Sequence, residues 1–438
     1  MISNQLLHHY PLSLPQDEIL RYQLSGVPSI NIGGAARIDG PIDPVIFEQA
    51  INQVIQENDA LRIKLHADNT QTIMENVCIE VDYRDFSAEN NAEQQVIEWM
   101  QNQFVEPFQI YGELLFKFAL CKVSKDCYYG FQKYHHSISD GLSNLLIPRR
   151  IADAYNALIT GCHIEPQSYS YLEFVKDDQI YRQSKKFIQD KLYWLEKYQQ
   201  LPEPLITPRH DMPKLKKHIP CQQSILCLKR DFYDQLINFA EEHHTSIFHI
   251  CLGVLYCYFL RNTDRDDFAI GTSTLNRSNA AFRQTVGMFV SVSPVWFSFN
   301  ADLSFIELIA TIGRELKRDY RHQRFPFSEL IKQLDLHQRS LFDISLVYAS
   351  YAKYGENLHF NGNPTETIRL SHDTIPHALF IFIGEFYKNE DVNVNLNYNL
   401  WAFSEDDIEH FKTNIEFLLS EIVQRPNVPV KKLQESIV

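Results

Sequence analysis

The chain has 438 residues, enough for two domains of about 200 residues each with a sizeable core in both. It is 45% hydrophobic and 22% charged, as a soluble globular protein is, and its net charge of −14 is spread along the chain, which argues against a nucleic-acid partner. Eight cysteines without CxxC or zinc-type spacing, and a start (residues 1–5) with neither a basic nor a long apolar stretch, point to a reducing cytoplasm and no metal site.

The most apolar run, residues 247–260, is broken by His249 and too short to span a bilayer, so no membrane association is expected. Two small basic clusters, Lys214 with Lys216 and Lys217, and Arg149 with Arg150, are read as solvated faces rather than docking sites. In chain order, Tyr10 to Pro15 is a loop and a short helix starts at Gln16. A strand over 29–38 ends at the Gly40-Pro41 turn. Asp43 and Pro44 are a cap and a first helical position, and Phe47, Ala50, Ile51, Val54 and Ile55 then fall on one helical face. The helix stops near Asn58-Asp59, and Ala60 to Leu65 resumes as a strand.

Residues 115–123 and 127–134, joined by Ser124-Lys125-Asp126, have the pattern of a hairpin. The second run leads into Tyr134-His135-His136-Ser137-Ile138-Ser139-Asp140-Gly141. Neighbours on a strand face opposite ways, so one histidine points inward and the other into a cleft, which argues against a shared metal ion. A loop then delivers Asp140, and Gly141 offers a backbone N–H near a helix start. A base beside such an amide suits acyl transfer, because the base takes a proton while the amide meets an oxyanion. The competing reading of the same residues is a hydrogen-bonded histidine pair before an ordinary Asp-Gly turn.

The following helix puts Ile147, Ile151, Ala154 and Leu158 on one side and ends at Thr160-Gly161. Pro148 predicts an irregular first turn or a start at that residue. Residues 165–171 form a candidate linker, Tyr171 to Trp194 is helical, and 202–220 is a Pro- and Lys-rich connector. Beyond it come a strand over 224–229, a helix from Asp231, and the apolar helix 246–261 capped by Thr245 or Ser246, in which His249 reads as a core histidine. Residues 268–277 are a buried strand and its exit loop. Residues 378–386 and 391–400 form a hairpin whose second strand alternates apolar residues with asparagine. Ser404 caps a last helix with an apolar stripe at Ile408, Phe411, Ile415, Leu418, Leu419 and Ile422.

The stretch His135-His136-x-x-x-Asp140-Gly141 resembles the HHxxxDG signature of nonribosomal peptide synthetase condensation domains, whose superfamily includes chloramphenicol acetyltransferase. Further segments are similar to that family's other motifs, in the same order: the opening Tyr10 to Pro15, Glu57 to Arg62, Tyr171 to Trp194, Gly271 to Arg277, Val286 to Ser291, His322 to Phe327 and Arg339 to Ile344. Ser291 stands where the family has Asn, and the proline usual in the last segment is absent. The resemblance implies an α/β (α+β sandwich) fold of two chloramphenicol acetyltransferase-like lobes, residues 1–170 and 171–438, forming a V with a central tunnel.

It also implies roles for the residues. His136 would be the catalytic base and Gly141 the oxyanion amide. His135 would be structural, Asp140 would shape the loop by pairing with Arg62, and Arg277 is the runner-up partner. The reaction would be amide formation between an acyl group on a carrier protein's phosphopantetheine thioester and an amine. No adenylation motif and no Gly-Gly-x-Ser carrier site occurs, so the chain reads as a free-standing, monomeric condensation enzyme that binds no cofactor of its own. It would meet its carrier in trans and use a small soluble amine. Two alternatives are an ester-forming O-acyltransferase on the same fold and a non-catalytic carrier-docking module.

Overall fold

The computed structural model describes residues 8–24, 26, 30–163, 169–206, 220–263, 265–336, 341–350, 358–372, 375 and 377–433. Residues 1–5, 165–168, 214–217 and 339–340, each part of a segment interpreted above, lie outside them. The chain forms two units. The first takes Met1–Phe187, Leu275–Val290 and Asn357–His372, and the second takes Ile188–Thr274, Ser291–Glu356 and Asp373–Val438. These differ from the lobes expected to meet at 170/171. The helix Tyr171–Arg182 stays with the first unit, its Tyr171 N–H donating to Asp59 Oδ1 at 2.8 Å.

In chain order the first strands are β1 (Tyr10–Pro11), β2 (Asn31–Asp39), β3 (Ile63–Leu65), β4 (Thr70–Ile73), β5 (Asp82–Asp85), β6 (Phe116–Ser124) and β7 (Cys127–His135). They continue as β8 (Cys221–Leu228), β9 (Asp267–Thr274), β10 (Ser291–Ser298), β11 (Ile344–Ser350), β12 (His359–Phe360), β13 (Asn363–Ile368), β14 (Leu379–Glu385) and β15 (Val392–Asn399).

The first unit holds a six-stranded sheet, β12-β13-β2-β7-β6-β5, and a three-stranded one, β1-β4-β3. The expected hairpin is β6 with β7, and β2 pairs antiparallel to β7 with Asn31 opposite His135. Val96, Met100 and Phe104 of the helix Ala92–Val105 pack on one face against Ala35, Tyr129 and Phe131. On the other face Gly130 of β7 lies against the Phe47 ring of the helix Pro44–Glu57. That helix starts as expected, with Asp43 Oδ1 accepting from Val45 N–H and Ile46 N–H. Ala60 to Arg62, expected to open the strand, lie instead in a single 3₁₀ turn (Asp59–Arg62) before β3. The helix Ser143–Thr160 begins before Pro148 and contains it. Its opening turn is irregular, with Leu145 N–H and Leu146 N–H both donating to Leu142 O at 3.0 Å.

The second unit has a six-stranded mixed sheet, β10-β9-β11-β14-β15-β8, parallel across β9, β11 and β14. Its core joins Phe268, Ile270, Val295, Phe297 and Leu346 to the helices Ile247–Thr263, Phe305–Asp319 and Glu405–Gln424. Ile247–Thr263 is buried on most sides, as its composition predicts, and His249 within it bonds to Thr245 Oγ1 at 3.0 Å. Ser404 forms a capping box with Asp407. The alternation of β15 is less clean in space than in sequence. Asn395 and Asn399 are also buried, because β15 is hydrogen-bonded on both edges. No described helix is long and apolar enough to cross a membrane.

Candidate active site

The loop after β7 starts at His136, the residue that follows the end of the strand. His135, the last residue of β7, is fully buried. Its Nε2–H donates to Gln23 Oε1, while Nδ1 accepts from Ser137 N–H at 3.1 Å and lies 2.7 Å from Ser137 Oγ. Both ring nitrogens are therefore occupied, which fits a neutral ring protonated on Nε2 and leaves nothing for a metal. Burial pushes this imidazole down to about 3, with the neighbouring His136 adding to the shift. Among the described residues no group of three His, Cys, Asp or Glu side chains could hold a metal ion.

His136 is half-buried and anchored by its backbone, N–H to Ile30 O at 2.9 Å. Its Nδ1 is buried without a hydrogen-bond partner among the described residues. Burial lowers the imidazole below its ordinary value. Its own carbonyl, the Asp140 charge and the Ser139 carbonyl oppose that shift. The ring is thus held as a neutral base near pH 7.

Asp140 is wholly buried and its carboxylate is fully engaged. Oδ1 accepts from Arg277 Nη2 at 2.8 Å and Ser143 N–H at 2.9 Å, and lies 2.8 Å from Ser143 Oγ. Oδ2 accepts from Arg277 Nη2 at 2.9 Å and Phe289 N–H at 3.1 Å. Asp140 therefore pairs with Arg277, the sequence's second choice. Arg62 instead donates from Nη1 to the carbonyls of Met74 and Glu75, the latter at 3.1 Å. The 3₁₀ turn puts Arg62 beside the end of β4, and burial there lowers its guanidinium from the usual range, with Asp59 opposing.

Asn144 N–H bonds to Asp140 O at 2.8 Å, so Asp140 closes the first helical turn with Gly141 just inside it. Gly141 N–H makes no hydrogen bond to the described residues, as the exposed amides of a helix start do not. The Arg277 charge cancels that of Asp140 one residue away, so an anion meeting Gly141 N–H faces little repulsion.

The sequence missed the residues that lock this turn. Ser143 Oγ lies 2.9 Å from Gly287 O, 3.0 Å from Gly287 N and 3.0 Å from Arg277 Nη2. The Arg277 guanidinium also lies over the Phe289 ring at 3.9 Å. Gly287 is pressed on Tyr171, where an added Cβ would come 2.1 Å from the ring. Arg150, read as a solvated surface residue, donates to Asn58 Oδ1 and, at 2.5 Å, to Gln284 O. Asp140-x-x-Ser143 has the spacing of a cap and its third residue, a signal that could have singled out Ser143. In the second unit His322 bonds through Nδ1 to Asp190 Oδ1 at 2.6 Å and stacks on Tyr193 at 3.9 Å. There Asp343 Oδ2 accepts from Leu205 N–H at 2.8 Å and Ile206 N–H at 3.2 Å.

A family model described as "Condensation domain" matches residues 7–435. A plipastatin synthase chain of Bacillus subtilis (strain 168) is 28% identical over 92% of this chain, and a surfactin synthase chain of the same organism is 26% identical over 97%. The chain spans only 16% and 12% of the length of these two relatives. Among solved structures, a mutant starter condensation domain of rhizomide synthetase RzmA in complex with C8-CoA superposes with a TM-score of 0.83 at 24% identity. The match covers 98% of this chain and 97% of that one. The first condensation domain of the calcium-dependent antibiotic synthetase, with a substrate analogue, gives 0.82 at 18% identity, covering 97% and 98%.

Proposed function

Since the chain belongs to the condensation-domain family, acyltransferases of nonribosomal peptide synthesis, we propose that it forms an amide between a carrier-borne acyl thioester and an amine. The observation that carries this reading is one loop that holds a half-buried His136 whose Nδ1 has no partner among the described residues, a Gly141 N–H that none of them bonds, and an Asp140 neutralised by Arg277.

An amine with an ordinary α-amino pKa of about 8 is mostly protonated at pH 7, and its neutral fraction attacks the thioester carbon. The new C–N bond places negative charge on the carbonyl oxygen, which Gly141 N–H meets, and positive charge on nitrogen. His136 takes the nitrogen's proton. The C–S bond then breaks, and the departing thiolate receives a proton from the imidazolium. General-base help of this kind is worth roughly 10² to 10⁴ in rate. Asp140 plays no part in proton transfer, because both its oxygens are held by other donors.

These 438 residues contain no Gly-Gly-x-Ser carrier site, so the phosphopantetheine arm comes from a carrier outside them. We take the acceptor to be a small soluble amine. The test is mass spectrometry of acyl-loaded carrier incubated with the protein and either an amine library or an aminoacyl-loaded carrier. Amide product from soluble amines is expected, and its absence with every donor and acceptor would overturn the reading.

A further inference from the structure

We propose that Ser143 is a positioning residue for the transfer reaction: its hydroxyl latches the Asp140–Gly141 turn to Gly287 and so aims Gly141 N–H at the oxyanion. This rests on the roles given above to His136 and Gly141. Ser143 is wholly buried, and its Oγ lies within 3.0 Å of four groups: Asp140 Oδ1, Gly287 O, Gly287 N and Arg277 Nη2. One hydroxyl has a single proton and two lone pairs. It accepts from Gly287 N–H and Arg277, and its proton goes to either Gly287 O or the carboxylate.

Gly141 has no side chain to hold it, so its amide takes its direction from the residues on either side. Asp140 is fixed by Arg277 and by Phe289 N–H, and Ser143 by the same carboxylate and by Gly287. Gly287 is itself braced. It sits against the Tyr171 ring, and the Tyr171 hydroxyl donates to the next carbonyl, Met288 O, at 2.7 Å. The hydroxyl of Ser143 is thus the side-chain link from the braced segment to the far end of the Gly141 turn, while the Asp140–Arg277 pair is a separate link to its near end.

Ser143→Ala removes the first link and leaves the ion pair, and Ser143→Thr retains a hydroxyl. A misaimed donor lowers kcat without touching substrate affinity. We expect roughly a 10- to 100-fold loss of kcat in Ser143→Ala at unchanged KM for the acyl donor. Ser143→Thr should recover most of that loss, and the acid limb of the pH profile should stay in place because His136 is untouched. Wild-type kcat in the Ala variant, or equal losses in Ala and Thr, overturns the proposal.

Amide hydrogen exchange across residues 275–290 tests the latch without turnover. Faster exchange at the Gly287 amide is expected in Ser143→Ala, and unchanged exchange overturns the latch. A wild-type protein without turnover on any donor and amine strikes the functional reading instead, and the exchange result then decides the latch by itself.

Discussion

His135 and His136 are adjacent, yet the first ends β7 in a sealed, fully bonded pocket while the second, in the turn beyond the strand, keeps a buried Nδ1 without a partner among the described residues. His136→Ala should lower kcat by roughly 10²- to 10⁴-fold with an unchanged melting curve. Because burial holds the His136 imidazole below its ordinary value, the base stays active as pH falls. The acid limb of kcat against pH is expected below about 6.5, and a limb at or above that value would contradict the assignment. His135 acts on stability. Its folded value of about 3 lies under the unfolded value near 6.5, so the unfolded chain binds the proton first. The stabilisation is complete above about pH 6.5 and is lost as pH falls towards 3, on the order of a few kcal/mol. Urea midpoints measured across that range should fall less steeply in His135→Gln. The arginines separate in the same way. Arg62→Ala orphans two carbonyls and should cost about 1–3 kcal/mol. Arg277→Ala strands a buried carboxylate and should cost about 3–5 kcal/mol and most of the activity, both read by denaturant titration. The burial of His135 agrees with its reading as an inward-facing strand residue, whereas His136 lies in the turn after β7, outside the strand alternation that was expected to place it. Which arginine meets Asp140 was not legible, since either is a long side chain and only the local turn at Asp59–Arg62 decides where it can reach.

At the scale of elements, the segment Leu275–Val290 determines the shape of the loop after β7. Its backbone donates to Asp140 at Phe289 and to Ser143 at Gly287, and its arginine supplies the counter-charge. Gly287→Ala should force Tyr171 or the segment to move and destabilise the fold by about 1–3 kcal/mol, with a lower melting temperature and slower turnover. An unaltered melt would mean that the segment slides freely. Helix starts such as Asp43-Pro44 and Ser404 were readable because a cap is a local contract between a side chain and amides two or three residues on. The 3₁₀ turn at Asp59–Arg62 was not. Its apolar residues suit a strand as well as a turn, and contacts from elsewhere in the unit decide between them.

For the whole molecule, direct attack of the amine predicts that no acyl group is ever carried by the protein itself. Intact mass after incubation with the donor alone should be unchanged, and an acyl adduct would require a different reaction order. The broad α/β architecture and the ordered motifs could be read from the chain, but the interleaving of its two units could not. Composition does not mark the five points where the chain passes from one unit to the other, and β13 is short, polar and without a buried residue, so it leaves no periodic signal. Its partner is distant: Asn363 Nδ2 bonds to Pro41 O, 322 residues away, and β13 fills the sheet edge beside β2. A ribosome making this protein therefore releases β2 long before the strand that covers its free edge exists. The nascent chain must spend most of its synthesis with a bare sheet margin, where a neighbouring nascent chain could pair instead. Translation speed and chaperone supply should accordingly govern the yield of native protein from a heterologous host more than the stability of the finished fold does.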